Sequence, residues 1–294
     1  MNNKRIAVFG EVLFDQFPGG LQVLGGAPFN VAWHTQAFGL APSFISRVGD
    51  DDKAAAIKQV MQNWGMTLTQ LQIDIEHPTG VVQVSFNHGE PGYDIVQNQA
   101  YDFIDAEQLD LAKQYSVIYH GTLAMRHDVS AQALAKLKAR HQGRVFVDVN
   151  LRAPWWQLAE VEKLVSAADW VKLNHEELQQ LQNPSLPLKQ SMEIFLARHG
   201  LQVLIVTCGE QGAVALSQTG EFIDVKPYTQ LKLVDTVGAG DAFAALVLLG
   251  LQSAWSLQLT MERARDFASA LVTRQGATVQ DLAFYQPFVE AWQL

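Results

Sequence analysis

The sequence predicts an α/β fold, a mostly parallel sheet sandwiched by helices, with a small β-sheet beside it. Three observations predict this. Short β-rich runs at Arg5 to Phe9, Ser116 to His120, Arg144 to Val149, Trp170 to Leu173 and Gln202 to Thr207 are separated by segments of helical spacing. Such alternation implies strands laid parallel with helices over both faces. At 294 residues, 48% of them hydrophobic, the chain can bury a full core, and the length suits one large α/β domain, so residues 1–294 are read as a single unit. Two extended stretches stand outside the alternation.

Taken in order, Arg5 to Phe9 is a short apolar strand, and Val12 to Leu24 is the first stray stretch, broken by Pro18-Gly19-Gly20. Asp51 to Trp64 places apolar residues at three- and four-residue intervals, as a helix packed on one face does. Gly80 to about Phe103 is the second stray stretch, broken at Gly89 to Gly92. In it Val82, Val84 and Phe86 alternate with Val81, Gln83, Ser85 and Asn87 to give an apolar face. Together the two stray stretches make a small sheet: a lid, a dimer surface or a second layer. Asp128 to His141 and Leu257 to Arg274 repeat the helical spacing, and the unbroken apolar run Ala242 to Leu251 reads as a buried helix. That run is far below the roughly 20 residues a membrane span needs.

Twenty-one basic against thirty acidic residues leave a net charge of -9, which disfavours a nucleic-acid partner. A small anion is not disfavoured, since helix N-termini bind phosphate locally. The opening segment carries Lys4 and Arg5 and reaches Glu11 before a signal-like apolar core forms, and Cys208 is the only cysteine. Both are the expectation for a cytoplasmic protein without a membrane partner.

In an open parallel sheet, ligands sit beyond the carboxyl ends of the strands. Here Gly121-Thr122, Asp148 to Arg152, Asn174 and Thr207 stand at such ends. Singly, Asn174 or Asp148 is as well explained as a cap or turn residue; together they suggest one shared site. The sharpest motif is Gly238-Ala239-Gly240-Asp241, running into Ala242-Phe243. Glycines there let successive N–H groups face one point at a helix start, a pocket for developing phosphate charge, with Asp241 at its edge as a candidate base. Read alone, Asp241 is equally an ordinary helix N-cap. A dinucleotide fingerprint fails because its third glycine falls at Phe243, and no glycine-rich loop ends in Gly-Lys-Ser or Gly-Lys-Thr.

These residues resemble the ribokinase-like (PfkB) family of carbohydrate kinases. Asp235 to Phe243 matches its C-terminal signature, Gly25-Gly26-Ala27-Pro28-Phe29-Asn30-Val31-Ala32 resembles its N-terminal one, and Gly10-Glu11 with Asp15 resembles its opening sugar-binding strand. The resemblance implies a ribokinase-like fold whose lid is built from about 12–24 and 80–103. It implies that Asp15, Gly26, Asn30 and Asp241 bind the sugar, that Asp241 takes a proton from the attacking hydroxyl, and that Gly238, Ala239 and Gly240 form an anion hole. Asn174, Thr207, Gly209, Gly212, Gly238 and Gly240 would meet the nucleotide. Glu177 would organise magnesium-bound water, Asp235 is a candidate for a monovalent cation such as potassium, and residues near Gly276 would border the adenine or that cation.

Gly25-Gly26-Ala27-Pro28, Asp148 to Arg152 and Gly121 to Arg126 look most like fructokinases, which implies MgATP and fructose as substrates. Ribokinases usually carry lysine where Ala27 stands, and Phe29 departs from the small residue usual in fructokinases. Arg152 is a candidate catalytic and sugar-binding residue, a planar fork in a site otherwise poor in cations. Its plain alternative is a surface arginine. Other acceptors, 2-keto-3-deoxygluconate, another sugar or a nucleoside, stay open, as does a sugar- or nucleotide-binding regulator without turnover. Trp155 and Trp156 read as packing, His120 and His175 as structural. The lid is also a candidate homodimer surface.

Overall fold

The computed structural model describes residues 5–87, 90–182, 184–228 and 233–294. It opens on β1 (Ile6–Phe9), followed by two short strands, β2 (Leu13–Gln16) and β3 (Gln22–Gly25). Helix α1 (Ala27–Ala37) leads to β4 (Ser43–Gly49), and α2 (Asp52–Asn63) to β5 (Leu71–Asp74). The hairpin of β6 (Gly80–Asn87) and β7 (Glu90–Ile95) follows, then β8 (Val117–His120), α3 (Asp128–Ala139), β9 (Arg144–Asp148) and α4 (Leu158–Ser166). Next come β10 (Trp170–Asn174), α5 (His175–Leu181), α6 (Leu188–His199), β11 (Val203–Thr207), β12 (Ala213–Ser217) and β13 (Phe222–Val225). Helices α7 (Ala239–Ser253), α8 (Leu257–Leu271) and α9 (Gln286–Trp292) close the chain.

The main sheet runs in the order β13-β12-β11-β10-β9-β8-β1-β4-β5. All neighbours from β11 to β5 are parallel, and β12 and β13 are added antiparallel at one edge. Alternation along each strand sends side chains to two cores. In β1, Ile6 and Val8 join the layer with α1, α2, α7 and α8, while Ala7 and Phe9 join the layer with α3. In β9, Phe146 points one way, Val145 and Val147 the other. Burial on both faces is why these strands read as unbroken apolar runs. The expected apolar run is buried from Ala242 to Gly250 inside α7. Among the described residues no helix is long and apolar enough to cross a membrane.

The two stray stretches pair as foreseen into a second sheet, β3-β2-β6-β7. Its register puts Asp15, Val23, Val82, Val84, Tyr93 and Ile95 on one face. Val82 and Val84 on that face are buried, but Phe86 is 54% exposed, so the apolar face is covered only near its base. There Leu13, Val82 and Ile95 pack with Tyr101, Leu123 and Ala124. The sheet order turns at β1: β4 and β5 are added on one side of it, β8 to β11 on the other. A crevice therefore opens between the carboxyl ends of β1 and β8.

Candidate active site

Two helix starts meet there. Helix α7 begins at Gly238, which is left-handed (φ 78°), and a Cβ at that position would lie 2.5 Å from the Cα of Ala277. Helix α1 begins at Gly26 (φ 108°), where a Cβ would lie 2.7 Å from the main-chain oxygen of Glu11. Conformation and space both demand glycine at these two positions. Neither helix start is closed by a side-chain cap, in contrast to α2, α5 and α8, which Asp51, Asn174 and Ser256 cap. The Ala239 N–H bonds the Thr236 carbonyl at 3.3 Å and Pro28 has no N–H, which leaves Gly240 in α7 and Ala27 and Phe29 in α1 as first-turn N–H groups for a ligand.

Asp241 is the third residue of α7 and not its cap. Its carboxylate accepts a 2.8 Å hydrogen bond from Nδ2 of Asn30, one turn into α1, so the plain helix-cap reading does not hold. Burial raises the Asp241 pKa to about 6; the Asn30 bond opposes this, Asp148 adds to it, and Lys172 and Arg152 oppose it. Oδ1 of Asn30 is buried without a partner and is left to accept from something else. Asp15 has its pKa raised by burial and lowered by Arg152. Arg152 itself is exposed, and its field reaches Glu11, Asp15 and Asp241. The structure thus gathers Asp15, Gly26, Asn30, Arg152, Gly238 and Asp241.

Along the sheet edge the remaining candidates fall in neighbouring strands. Asn174 ends β10 opposite Thr207 at the end of β11, and Gly209 and Gly212 shape the turn into β12. Asn174 and Glu177 form a capping box: Oδ1 of Asn174 accepts from the Glu177 N–H and Oε2 of Glu177 from the Asn174 N–H, both at 2.8 Å. The other Glu177 oxygen accepts from the Leu151 N–H at 2.7 Å, and burial raises the pKa of this carboxyl. Asp235 accepts from the Val237 and Gly276 N–H groups, tying the loop before α7 to the loop after α8. Among the described residues no three His, Cys, Asp or Glu side chains gather as a metal site. Each Glu177 oxygen accepts one N–H and keeps a further acceptor direction, which could hold a metal-bound water of the kind magnesium retains.

A pfkB family carbohydrate kinase profile matches residues 11–282. The chain belongs to the pfkB family of carbohydrate kinases. It is 30% identical to a fructokinase of Klebsiella pneumoniae, covering 85% of each chain. The aminoimidazole riboside kinase of Salmonella enterica, solved with aminoimidazole riboside and an ATP analogue, superposes with a TM-score of 0.84 at 26% identity over 97% of this chain and 99% of that one. A fructokinase of Xylella fastidiosa with bound ATP shares the fold at a TM-score of 0.87, with 22% identity over 99% and 100% of the two chains.

Sequence reasoning read this kinase site as poor in cations, and the structure corrects that. Lys172 of β10 is buried and bonds both oxygens of Asp148 at 2.8 Å. Its Nζ would sit 3.5 Å from a Cβ placed on Gly240, directly beneath the start of α7. A lysine inside an apolar strand was the available signal, since such a residue is rarely buried without a task. Arg126 is a third cation, nearly buried, beside Tyr101 and Trp155. Trp155 therefore packs on an arginine, as a packing role implies. Phe29 turns away into the core against Phe44 and Trp33. His120 is buried with its pKa pushed down to about 3, and burial raises the pKa of the Cys208 thiol, which favours its protonated form.

Proposed function

We propose that the chain transfers the γ-phosphoryl group of MgATP to a hydroxyl of a hexose, with fructose the first candidate and Asp241 as the general base. The observation that carries this is the Asp241 carboxylate, bonded to Asn30 and standing at an uncapped helix start. In the reaction the acceptor oxygen attacks the γ-phosphorus, the bond from that phosphorus to the bridging oxygen breaks, and ADP departs. The acceptor proton passes to Asp241. A base with pKa about 6 is mostly ionised at pH 7 yet still able to hold a proton.

The Gly238 and Gly240 N–H groups at the start of α7 would face the charge that grows on the transferring phosphoryl group, and the Lys172 ammonium near Gly240 adds a positive field there. Asp15, Gly26, Asn30 and Arg152 hold the sugar. Asn174, Thr207, Gly209 and Gly212 line the nucleotide side. Magnesium carried by the nucleotide would neutralise phosphate charge, with water held at Glu177. Asp235 at the loop junction would hold a monovalent cation such as potassium, and the second sheet is the lid that excludes water from the reacting groups.

A second acceptor class, a riboside, is supported by the riboside kinase among the structures this chain resembles. A regulator without turnover is disfavoured, because burying Asp241 and raising its pKa is a cost that binding alone does not require. The test is ADP release from MgATP across fructose, other hexoses, 2-keto-3-deoxygluconate and ribosides, repeated with Asp241→Asn. The substitution should lower kcat about a hundred- to ten-thousandfold while nucleotide affinity holds. Wild-type kcat should fall as pH drops below about 6. Near-native turnover in the variant would overturn the assignment of the base, and a riboside outrunning every hexose would replace the acceptor.

A further inference from the structure

Glu11 and Arg126 follow β1 and β8, the two strands that flank the turn in sheet order, and the reaction above uses neither. Glu11 is 3% exposed, and its Oε2 is buried without a hydrogen-bond partner. Arg126 is fixed on nearly every side. Its Nε and Nη2 bond Asp102 at 2.8 and 2.7 Å, and Nη2 also bonds Val96 O at 2.6 Å and the Tyr101 hydroxyl at 3.0 Å. The guanidinium lies 5.3 Å from the Tyr101 ring centroid and 4.9 Å from that of Trp155. Only Nη1 is left over, and it too is buried and unpaired.

A buried carboxylate oxygen and a buried guanidinium nitrogen without partners are costly, and native folds seldom keep such atoms without a use. Glu11 lies in the field of Arg126, Arg152 and Asp241, and its main-chain oxygen stands where a side chain on Gly26 would be. The carboxyl ends of β1 and β8, which the two residues follow, flank the crevice in which the acceptor is placed, and Glu11 is within electrostatic reach of Arg126 and of Asp241 there. A sugar hydroxyl is at once a donor and an acceptor, which is what the two atoms lack.

We propose that Glu11 and Arg126 form a further arm of the acceptor site: a hydroxyl remote from the phosphorylated one donates to Oε2 of Glu11 and accepts from Nη1 of Arg126. This rests on reading the Asp241 crevice as the acceptor site. An acceptor lacking that hydroxyl leaves two buried polar atoms unpaired, so the arm discriminates against deoxy analogues far more strongly than an apolar contact would. The rigid clamp on Arg126 keeps the donor in place before the sugar arrives, and its bond to Val96, just after β7, joins the arm to the base of the second sheet.

The experiment uses the sugar with the highest kcat/KM in the panel above, together with its monodeoxy analogues, on the wild-type protein and on Glu11→Gln. On the wild type, one analogue should lose about ten- to a hundredfold in kcat/KM. For the parent sugar, Glu11→Gln should raise KM by a similar factor while kcat and the ATP KM hold, the mark of lost uniform binding. In the variant, that one analogue and the parent sugar should converge to within about threefold. Equal losses for every analogue in both proteins would overturn the arm and leave Asp241 untouched. The reverse pattern, full activity in Asp241→Asn with the expected profile in Glu11→Gln, would remove the base and keep the arm.

Discussion

At the scale of single residues, the site is a set of carboxylates that the fold makes costly to ionise, offset by three cations. Glu11 is the clearest case: burial raises its pKa from 4.5 to about 7, while its own backbone hydrogen bond and the Arg152 charge pull the other way. Asp241, Arg126, Tyr101 and Tyr119 are the other titratable groups that feel it. Because the folded pKa lies above the unfolded one, the folded state holds the extra proton between about pH 4.5 and 7. Stability tied to Glu11 is therefore fully present below that window and lost as pH rises through it. The loss reaches about 3 kcal/mol by pH 8. Glu11→Gln, free of this cost, should gain melting temperature relative to wild type as pH rises from 4 to 8 in ligand-free protein. A difference that stays constant with pH would show that Glu11 is not held at a raised pKa. None of this was legible in the string Gly10-Glu11, because burial and missing partners are properties of the assembled neighbourhood. Lys172 did leave a signal, a lysine inside an apolar strand, but its partner Asp148 is brought to it only by the fold. The glycine turn before Asp241 was legible because it is local.

Single elements were read well where they carry their own punctuation. The β-rich runs and helical spacings gave elements that end within about three residues of the observed boundaries, the usual play at frayed ends. Pro18-Gly19-Gly20 and Gly89 to Gly92 marked the second sheet. What alternation could not give was how far the sheet is covered, so Phe86 was grouped with a buried face that ends before it. The proposed chemistry depends on the start of α7. Gly238→Ala would force a left-handed backbone on an L side chain and drive its Cβ into Ala277. Gly220, in the β12 to β13 turn, is also left-handed (φ 86°) but has nothing within 4 Å of a Cβ. Gly220→Ala should cost about 1 kcal/mol of stability and leave kcat alone. Gly238→Ala should cost more stability and also lower kcat by at least about tenfold, since its N–H groups would no longer converge. Equal kcat for the two variants, measured beside their melting curves, would separate the turn from the chemistry.

Across the whole molecule, distant parts of the chain build one site. His34 of α1 bonds the Ala277 carbonyl at 2.9 Å and the Tyr285 hydroxyl at 3.0 Å, so the helix that carries Asn30 is tied to the loop behind Gly238. With a net charge of -9 over the chain, Lys172, Arg126 and Arg152 are local exceptions where anions and hydroxyls are to be held. The face of the second sheet that carries Asp15 runs outward to Val23, Phe86 and Tyr93, which are 39%, 54% and 58% exposed. Apolar side chains grouped on a sheet face, beside a site that works better dry, are economically covered by a second copy of the same face, because a two-fold contact is self-complementary. Light scattering at micromolar concentration should then report twice the 32.6 kDa of one chain. The double substitution Phe86→Glu with Tyr93→Glu should give monomers, since two carboxylates per copy would meet across the axis. Its sugar KM should rise while the ATP KM holds, because the sheet that carries Asp15 loses its support. A wild-type protein that scatters as a monomer would refute the paired lids, and an unchanged sugar KM in the monomeric variant would confine the contact to assembly.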